Sequence, residues 1–194
     1  MDESSRITHL VGFKIYYYNS EFIKYPMITV RVYIATSLDG CIAKEDGSVD
    51  WLPQTSESSY DAFYKSVDTV ILGKTTYEQV LTFGSYPYKS KKSFVFSRTN
   101  QNNDENVEFV SDIAKFVDDD FPGAGENIWL VGGPQIIASF LKHGSIDEII
   151  ITVIPVLLGK GIPLFKNVEK ETKLELIKTE KFGQLVDLHY KVLK

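Results

Sequence analysis

The sequence predicts an α/β domain with a mostly parallel central sheet, helices on both of its faces and an antiparallel C-terminal hairpin. Three observations predict it. Short runs of β-branched and aromatic residues alternate with helical stretches between residues 28 and 154. Glycines stand where strand gives way to helix, at Gly73 and at Gly132-Gly133. Residues 172 to 193 alternate apolar and polar side chains around Phe182-Gly183, the pattern of a hairpin.

Each element has its own local reason. Residues 28 to 36, I-T-V-R-V-Y-I-A-T, have the β-branched character of a buried strand, and the turn chemistry of Ser37-Leu-Asp-Gly and Glu45-Asp-Gly-Ser makes residues 37 to 55 mostly loop. A helix fits residues 56 to 66, a strand Val70-Ile-Leu, and a second helix follows Gly73, with Thr75 and Glu78 at capping-box spacing. Ser93-Phe-Val-Phe-Ser and Val107-Glu-Phe-Val are strands separated by the polar tract from Thr99 to Asn106. Residues 113 to 117 fit a helix, 128 to 131 a strand, Pro134 opens another helix, and 148 to 154 form a further strand. In the last strand Val186, Leu188, Tyr190 and Val192 would form the buried face and their polar neighbours the other.

Composition narrows the function. At 194 residues, 43% hydrophobic and 24% charged, the chain suits one domain with a substantial core. The aromatic segment before Met27 is expected to be an extension or appended strand, dividing the chain into residues 1–26 and a single domain over 27–194. A net charge of −5 without a basic run argues against nucleic acid. No apolar run reaches the roughly 18 residues of a membrane span. One cysteine, Cys41, and three dispersed histidines supply neither a disulfide nor a metal-ligand spacing, so no metal is expected and a reducing cytoplasm fits best.

Three turns have the chemistry of an anion site. Leu72-Gly-Lys-Thr-Thr lets backbone approach a ligand and opens a helix whose free N–H groups favour phosphate; a mere capped turn is the bland alternative. Asp68 occupies the position of the first P-loop glycine, which disfavours a nucleotide triphosphatase. Val131-Gly-Gly-Pro-Gln-Ile removes side chains after a strand but is not the G-x-G-x-x-G fingerprint. Ser97-Arg98 offers a hydroxyl and a guanidinium suited to a phosphate monoester, although a solvated arginine is the commoner fate.

In order and spacing these pieces resemble the dihydrofolate reductase-like superfamily, most of all the C-terminal reductase domain of riboflavin biosynthesis. The segments that carry the resemblance are residues 34–43 (I-A-T-S-L-D-G-C-I-A), 70–78, 96–98, 129–134 and 147–165 with its P-V-L-L-G-K-G-I-P-L-F. It implies a three-layer dihydrofolate reductase-like fold and an NADPH-dependent oxidoreductase acting on a pyrimidine- or pterin-like heterocycle. The 5-amino-6-(5-phosphoribosylamino)uracil step is the named activity. Dihydrofolate reduction and NADPH binding without turnover are the alternatives. No deaminase zinc motif precedes the domain, so a stand-alone reductase is expected, and the resemblance also implies a homodimer.

Carried over residue by residue, Ala35 and Ile42 would border the nicotinamide, and Gly73, Lys74, Thr75 and Thr76 would hold phosphates. Ser97 and Arg98 would face the 2′-phosphate. Gly132, Gly133, Pro134, Gln135 and Ile136 would line the pyrophosphate, the glycine pair often being cis in the family. Lys74 replaces the usual arginine, keeping charge but losing the planar fork. A buried carboxylate supported by a strand threonine is the expected proton-handling group, and Asp61 with Thr152 match best. Glu57 and Asp50 are rival carboxylates. Ser37 and Asp39 could meet substrate or simply form the turn, and Trp51, Phe63 and Tyr64 could stack on a ring or only pack the core.

Overall fold

The structure is a computed structural model that describes residues 28–53, 59–99, 104–117 and 123–194, together with the backbone of 8–10, 13–18 and 21–26. The leading segments β1 (Thr8–Leu10), β2 (Phe13–Tyr18) and β3 (Glu21–Pro26) pair with one another into a three-stranded antiparallel sheet.

The main sheet begins with β4 (Thr29–Ser37) and takes in β6 (Thr69–Gly73), β7 (Lys92–Phe96), β8 (Glu108–Val110), β9 (Asn127–Gly132) and β10 (Glu148–Ile154), all parallel. The hairpin β12 (Leu174–Phe182) and β13 (Leu185–Val192) joins β10 antiparallel, giving the order β12-β13-β10-β4-β9-β6-β7-β8. Strands β4, β6, β7 and β8 step outward in one direction. The chain then returns to insert β9 between β4 and β6 and to place β10 beyond β4. That reversal opens a crevice at the carboxyl ends of the central strands, where ligands of open α/β sheets bind.

Helices cover both faces. On one, α1 (Tyr60–Ser66) and α2 (Lys74–Thr82) pack Phe63, Val67 and Tyr77 onto Tyr33, Val70, Leu72, Trp129 and Ile150. On the other, α3 (Ile113–Lys115) and α4 (Pro134–Lys142) bring Phe116, Ile136, Ile137 and Phe140 onto Val30, Val32, Ile71, Leu130 and Ile149. Successive strand residues face opposite helical layers, so nearly continuous apolar runs are what a doubly covered sheet requires.

The structure departs from the sequence reading in four places. Cys41–Lys44, expected as loop, is strand β5, paired with β11 (Gly161–Pro163). Helix α2 starts at Lys74 with Gly73 as its N-cap and no side-chain cap, so Thr75 lies inside the first turn and the Thr75–Glu78 capping box does not form. The apolar run Ile149–Ile154 is explained by its place between β4 and β13, which removes it as an argument for a dimer edge. In β13 the supposedly polar face is itself covered, because Asp187 is only 4% exposed. The expected helix start at 56 and the rival carboxylate Glu57 lie outside the described residues.

Candidate active site

Register places the three glycine- or arginine-bearing turns along one rim. Leu72 pairs with Gly132 and Gly73 with Phe96, so the turns after β6, β7 and β9 leave the sheet side by side. A Cβ added to Gly73 would stand 3.1 Å from Ile136 Cγ1 and 3.7 Å from both the Gly132 carbonyl oxygen and the Gly133 nitrogen. One added to Gly133 would stand 3.5 Å from Thr76 Oγ1. The Gly132–Gly133 peptide is cis, and Gly132 has a φ of +119°, a region that favours glycine.

Two helices therefore start within contact of each other, and neither N-cap, Gly73 or Gly133, offers a side chain to the first-turn N–H groups. In α4 Pro134 has no N–H and the Ile136 N–H is taken by the Gly133 carbonyl at 3.1 Å, so that helix brings the Gln135 N–H to the seam beside the first turn of α2, where both positive dipole ends meet. The cradle fits a polyanion such as a dinucleotide pyrophosphate. Around it, Lys74 pairs with Glu78 of its own helix at 3.6 Å, while Arg98 is exposed at the end of β7. Ser97 is largely committed to its own turn: its Oγ donates to the Thr99 carbonyl at 2.9 Å and accepts the Thr99 N–H at 3.3 Å. Gln135 is exposed and Ile136 buried in the seam. Asp68 sits at the opposite, amino end of β6, where its carboxylate accepts the Asn127 N–H at 2.8 Å and ties the starts of β6 and β9 together.

Next to the rim, Ala35 of β4, Thr152 of β10 and Asp187 of β13 stand in one cross-strand row. Thr152, 6% exposed, donates from Oγ1 to Asp187 Oδ1 at 2.7 Å. Ser59 donates to Asp187 Oδ2 and is itself 3.1 Å from the Tyr33 hydroxyl. This overturns the Asp61 assignment: Asp61 points to solvent on α1, and the carboxylate that meets Thr152 comes from β13. Asp50 is also a surface group, held 2.7 Å from Lys44, which lowers its pKa. Ile42 on β5 packs against the α4-side core, while Phe63 and Tyr64 belong to the aromatic layer under α1. Asp187 borders a cleft of about 140 Å³ lined by Ser59, Phe63, Ile150, Lys178, Glu180 and His189.

Residues 89–188 match the model of the RibD C-terminal domain. Protein YwjB of Bacillus subtilis, itself uncharacterized, is 48% identical over 165 residues, covering 82% of this chain and 95% of its own. The chain belongs to the RibD C-terminal domain family. A solved protein from Shewanella sp. PV-4, described as a putative riboflavin biosynthesis protein, superposes with a TM-score of 0.77 at 32% identity, over 86% of this chain and all of the other. The deaminase/5-amino-6-(5-phosphoribosylamino)uracil reductase of Thermotoga maritima superposes at 0.66 with 16% identity, over 86% of this chain and 57% of that one, a likeness of fold alone. The RibD-family domain thus has the dihydrofolate reductase-like fold that its sequence pattern implies.

Asp39, the other carboxylate considered from the sequence, is a clamp in this RibD-family structure. It accepts from Ser37 Oγ at 2.5 Å, from the Gly159 N–H at 2.7 Å and from the Leu158 N–H at 3.2 Å, tying the S-L-D-G turn to the loop after β10. The Ser37 hydroxyl and the two backbone donors hold its pKa down to about 2. A depressed carboxylate contributes stability that is present above its unfolded value and fades as pH falls through the folded one. The clamp is therefore expected to be intact above pH 4 and to release as pH approaches 2, which amide chemical shifts of Leu158 and Gly159 would report. Asp39→Asn should produce the released shifts at neutral pH. Among the described residues no group of three or more His, Cys, Asp and Glu side chains could hold a metal, and no helix is long and apolar enough to cross a membrane.

Proposed function

We propose that this domain is an NADPH-dependent reductase of a pyrimidine- or pterin-like heterocycle, with 5-amino-6-(5-phosphoribosylamino)uracil as the first substrate to assay. The observation that carries the reading is the meeting of two uncapped helix N-termini at the rim, one strand away from the Ala35–Thr152–Asp187 row. Membership of the RibD C-terminal family and likeness to solved reductases support it.

The N–H groups of Lys74, Thr75, Thr76 and Gln135 would hold the cofactor's phosphates, with Gly73 and Gly132 to Ile136 lining their path. Arg98 would meet the 2′-phosphate, and Ala35 would border the nicotinamide, with Ile42 on the neighbouring strand β5. NADPH, when bound, supplies a hydride, and the reduced C=N or C=C bond also takes up one proton. The protein's part is to bring the ring against Ala35 and Thr152, to keep water out by the aromatic layer beneath α1, and to present hydrogen-bonding groups at a fixed place.

Steady-state NADPH oxidation with the ribosylaminouracil and with dihydrofolate tests the reading. Turnover of the first supports it, and faster turnover of dihydrofolate shifts the assignment to the alternative. NADPH binding without oxidation of either would reduce the chain to a binding protein. Replacing Arg98 by Ala is expected to weaken NADPH binding by about 10- to 100-fold, the worth of one or two charge-assisted hydrogen bonds, while leaving NADH affinity unchanged. Equal losses for the two cofactors would remove the 2′-phosphate role. The proposed homodimer is checked by light scattering, where a monomer at high concentration rejects it.

A further inference from the structure

A hairpin at the margin of a sheet is expected to turn its charged face to water and its apolar face to the core. The C-terminal hairpin does the reverse. Directly opposed residues of antiparallel strands share a face, so Glu175, Lys178, Glu180, Asp187, His189 and Lys191 all stand on the α1 side of β12 and β13. The start of α1 lies over part of that face, where Ser59 meets Asp187. On the α4 side stand Leu174, Leu176, Val186, Leu188 and Tyr190, with Val153 of β10 in register beside Val186. Leu174 and Leu176 are 40% and 52% exposed, and the other four are half-buried. Among the described residues, none of the six joins the core under α4, which takes only Ile149, Ile151 and Val192 from these three strands. Three strands about 4.8 Å apart and eight residues long give a face of roughly 14 Å by 26 Å, a contiguous apolar area of the size that marks a binding surface.

The charges around the face say what covers it. On the face itself β12 and β13 place one charged side chain, Lys181, near the end of β12, and exposed Glu171 stands just before the beginning of that strand. Neither has an ion-pair partner among the described residues. A two-fold axis lying in the interface and crossing β12 at Leu176, midway between them, reverses the strand and lays each Lys181 against Glu171 of the partner subunit. The face is then complementary to itself, as an isologous contact requires, and nearly free of charge at its centre. We propose that two copies of this chain stack through the α4-side face of β10, β13 and β12, antiparallel about an axis at Leu176, with the side chains of the two sheets interdigitating as they do in a sandwich. This gives the proposed homodimer its surface. It rests on that homodimer and not on the reductase chemistry, so either can fail while the other stands.

Sedimentation velocity of the full chain is expected to show a dimer. Leu176→Glu, at a position exposed in the single chain, sets two like charges against each other on the axis and should raise the dissociation constant at least about 100-fold. Lys181→Glu should raise it about tenfold at low salt, and adding Glu171→Lys to that variant should restore the wild-type value. Leu38→Glu and Leu157→Glu, at exposed leucines of the loops after β4 and β10, should leave it unchanged. A wild-type monomer at high concentration would overturn the proposal, including the case in which residues 1–26 of the same chain shield Leu176. So would a dimer that survives Leu176→Glu, which puts the contact on another face. A dimer weakened by Lys181→Glu and not restored by the double exchange rejects the antiparallel arrangement. Circular dichroism separates a lost dimer from a lost fold, and should Leu176→Glu unfold, Lys181→Glu and its rescue decide. A dimer that passes these tests and oxidises no NADPH removes the reductase reading and supports the surface.

Discussion

Trp129→Ala is expected to destabilise the protein by about 3–5 kcal/mol, the range for emptying a buried tryptophan site. Trp129 is 4% exposed in the middle of β9 and meets Tyr60, Phe63 and Tyr88 edge-on, with ring centroids 5.8, 5.5 and 5.3 Å away. Its indole N–H also donates to the Tyr33 carbonyl at 3.1 Å. Against a total stability of order 5–15 kcal/mol, the loss is a large fraction of what holds the domain together. In thermal denaturation it should appear as a fall of roughly 6–20 °C for a chain of this size. Trp129→Phe keeps the apolar contact and gives up the hydrogen bond, so it should cost only about 1–3 kcal/mol. The damage reaches the site, because Phe63 stacks on Tyr33 at 4.6 Å and the Tyr33 hydroxyl steadies Ser59, a donor to Asp187. An alanine variant as stable as wild type would mean that the aromatic layer does not anchor α1.

Much of the architecture was legible because its signals are local. The parallel strands could be read from β-branched runs such as Thr29–Ser37, and the helix starts at Gly73 and Pro134 from their own chemistry. What escaped depends on partners distant in sequence. Cys41–Lys44 becomes a strand only because Gly161–Pro163, a short segment with little strand character of its own, returns to pair with it. The buried carboxylate Asp187 escaped for a related reason. Alternation in β13 by itself implies one face in the core and the other in solvent, which assigns the polar neighbours Asp187 and His189 to the wet side. The structure lays the start of α1 over that face, where Ser59 closes on Asp187. An available signal was Thr152, a lone hydroxyl in the apolar run Ile149–Ile154 of a strand interior to the sheet. Such a group needs a partner, and the antiparallel neighbour in register is Asp187.

The rim makes the sharpest separation between binding and stability. Thr76 is the third residue of α2, and its hydroxyl lies 3.5 Å from where a side chain on Gly133 would begin, so it looks across the seam between the two helix starts. An aspartate there adds negative charge to a first turn that has none, which should stabilise the helix by about 0.3–1 kcal/mol. The same charge would face any phosphate held at the seam. At about 5 Å and an effective dielectric near 20, the repulsion is about 3 kcal/mol. Thr76→Asp is therefore expected to weaken NADPH binding roughly 200-fold while leaving the melting temperature unchanged or slightly raised. Thr76→Val, neutral and similar in shape, should lose less than about tenfold, the worth of one ordinary hydrogen bond. Fluorescence titration of NADPH alongside thermal denaturation separates the two effects. If the aspartate variant binds NADPH as tightly as wild type, the phosphates do not lie between α2 and α4, and the anion cradle must be sought elsewhere on the rim.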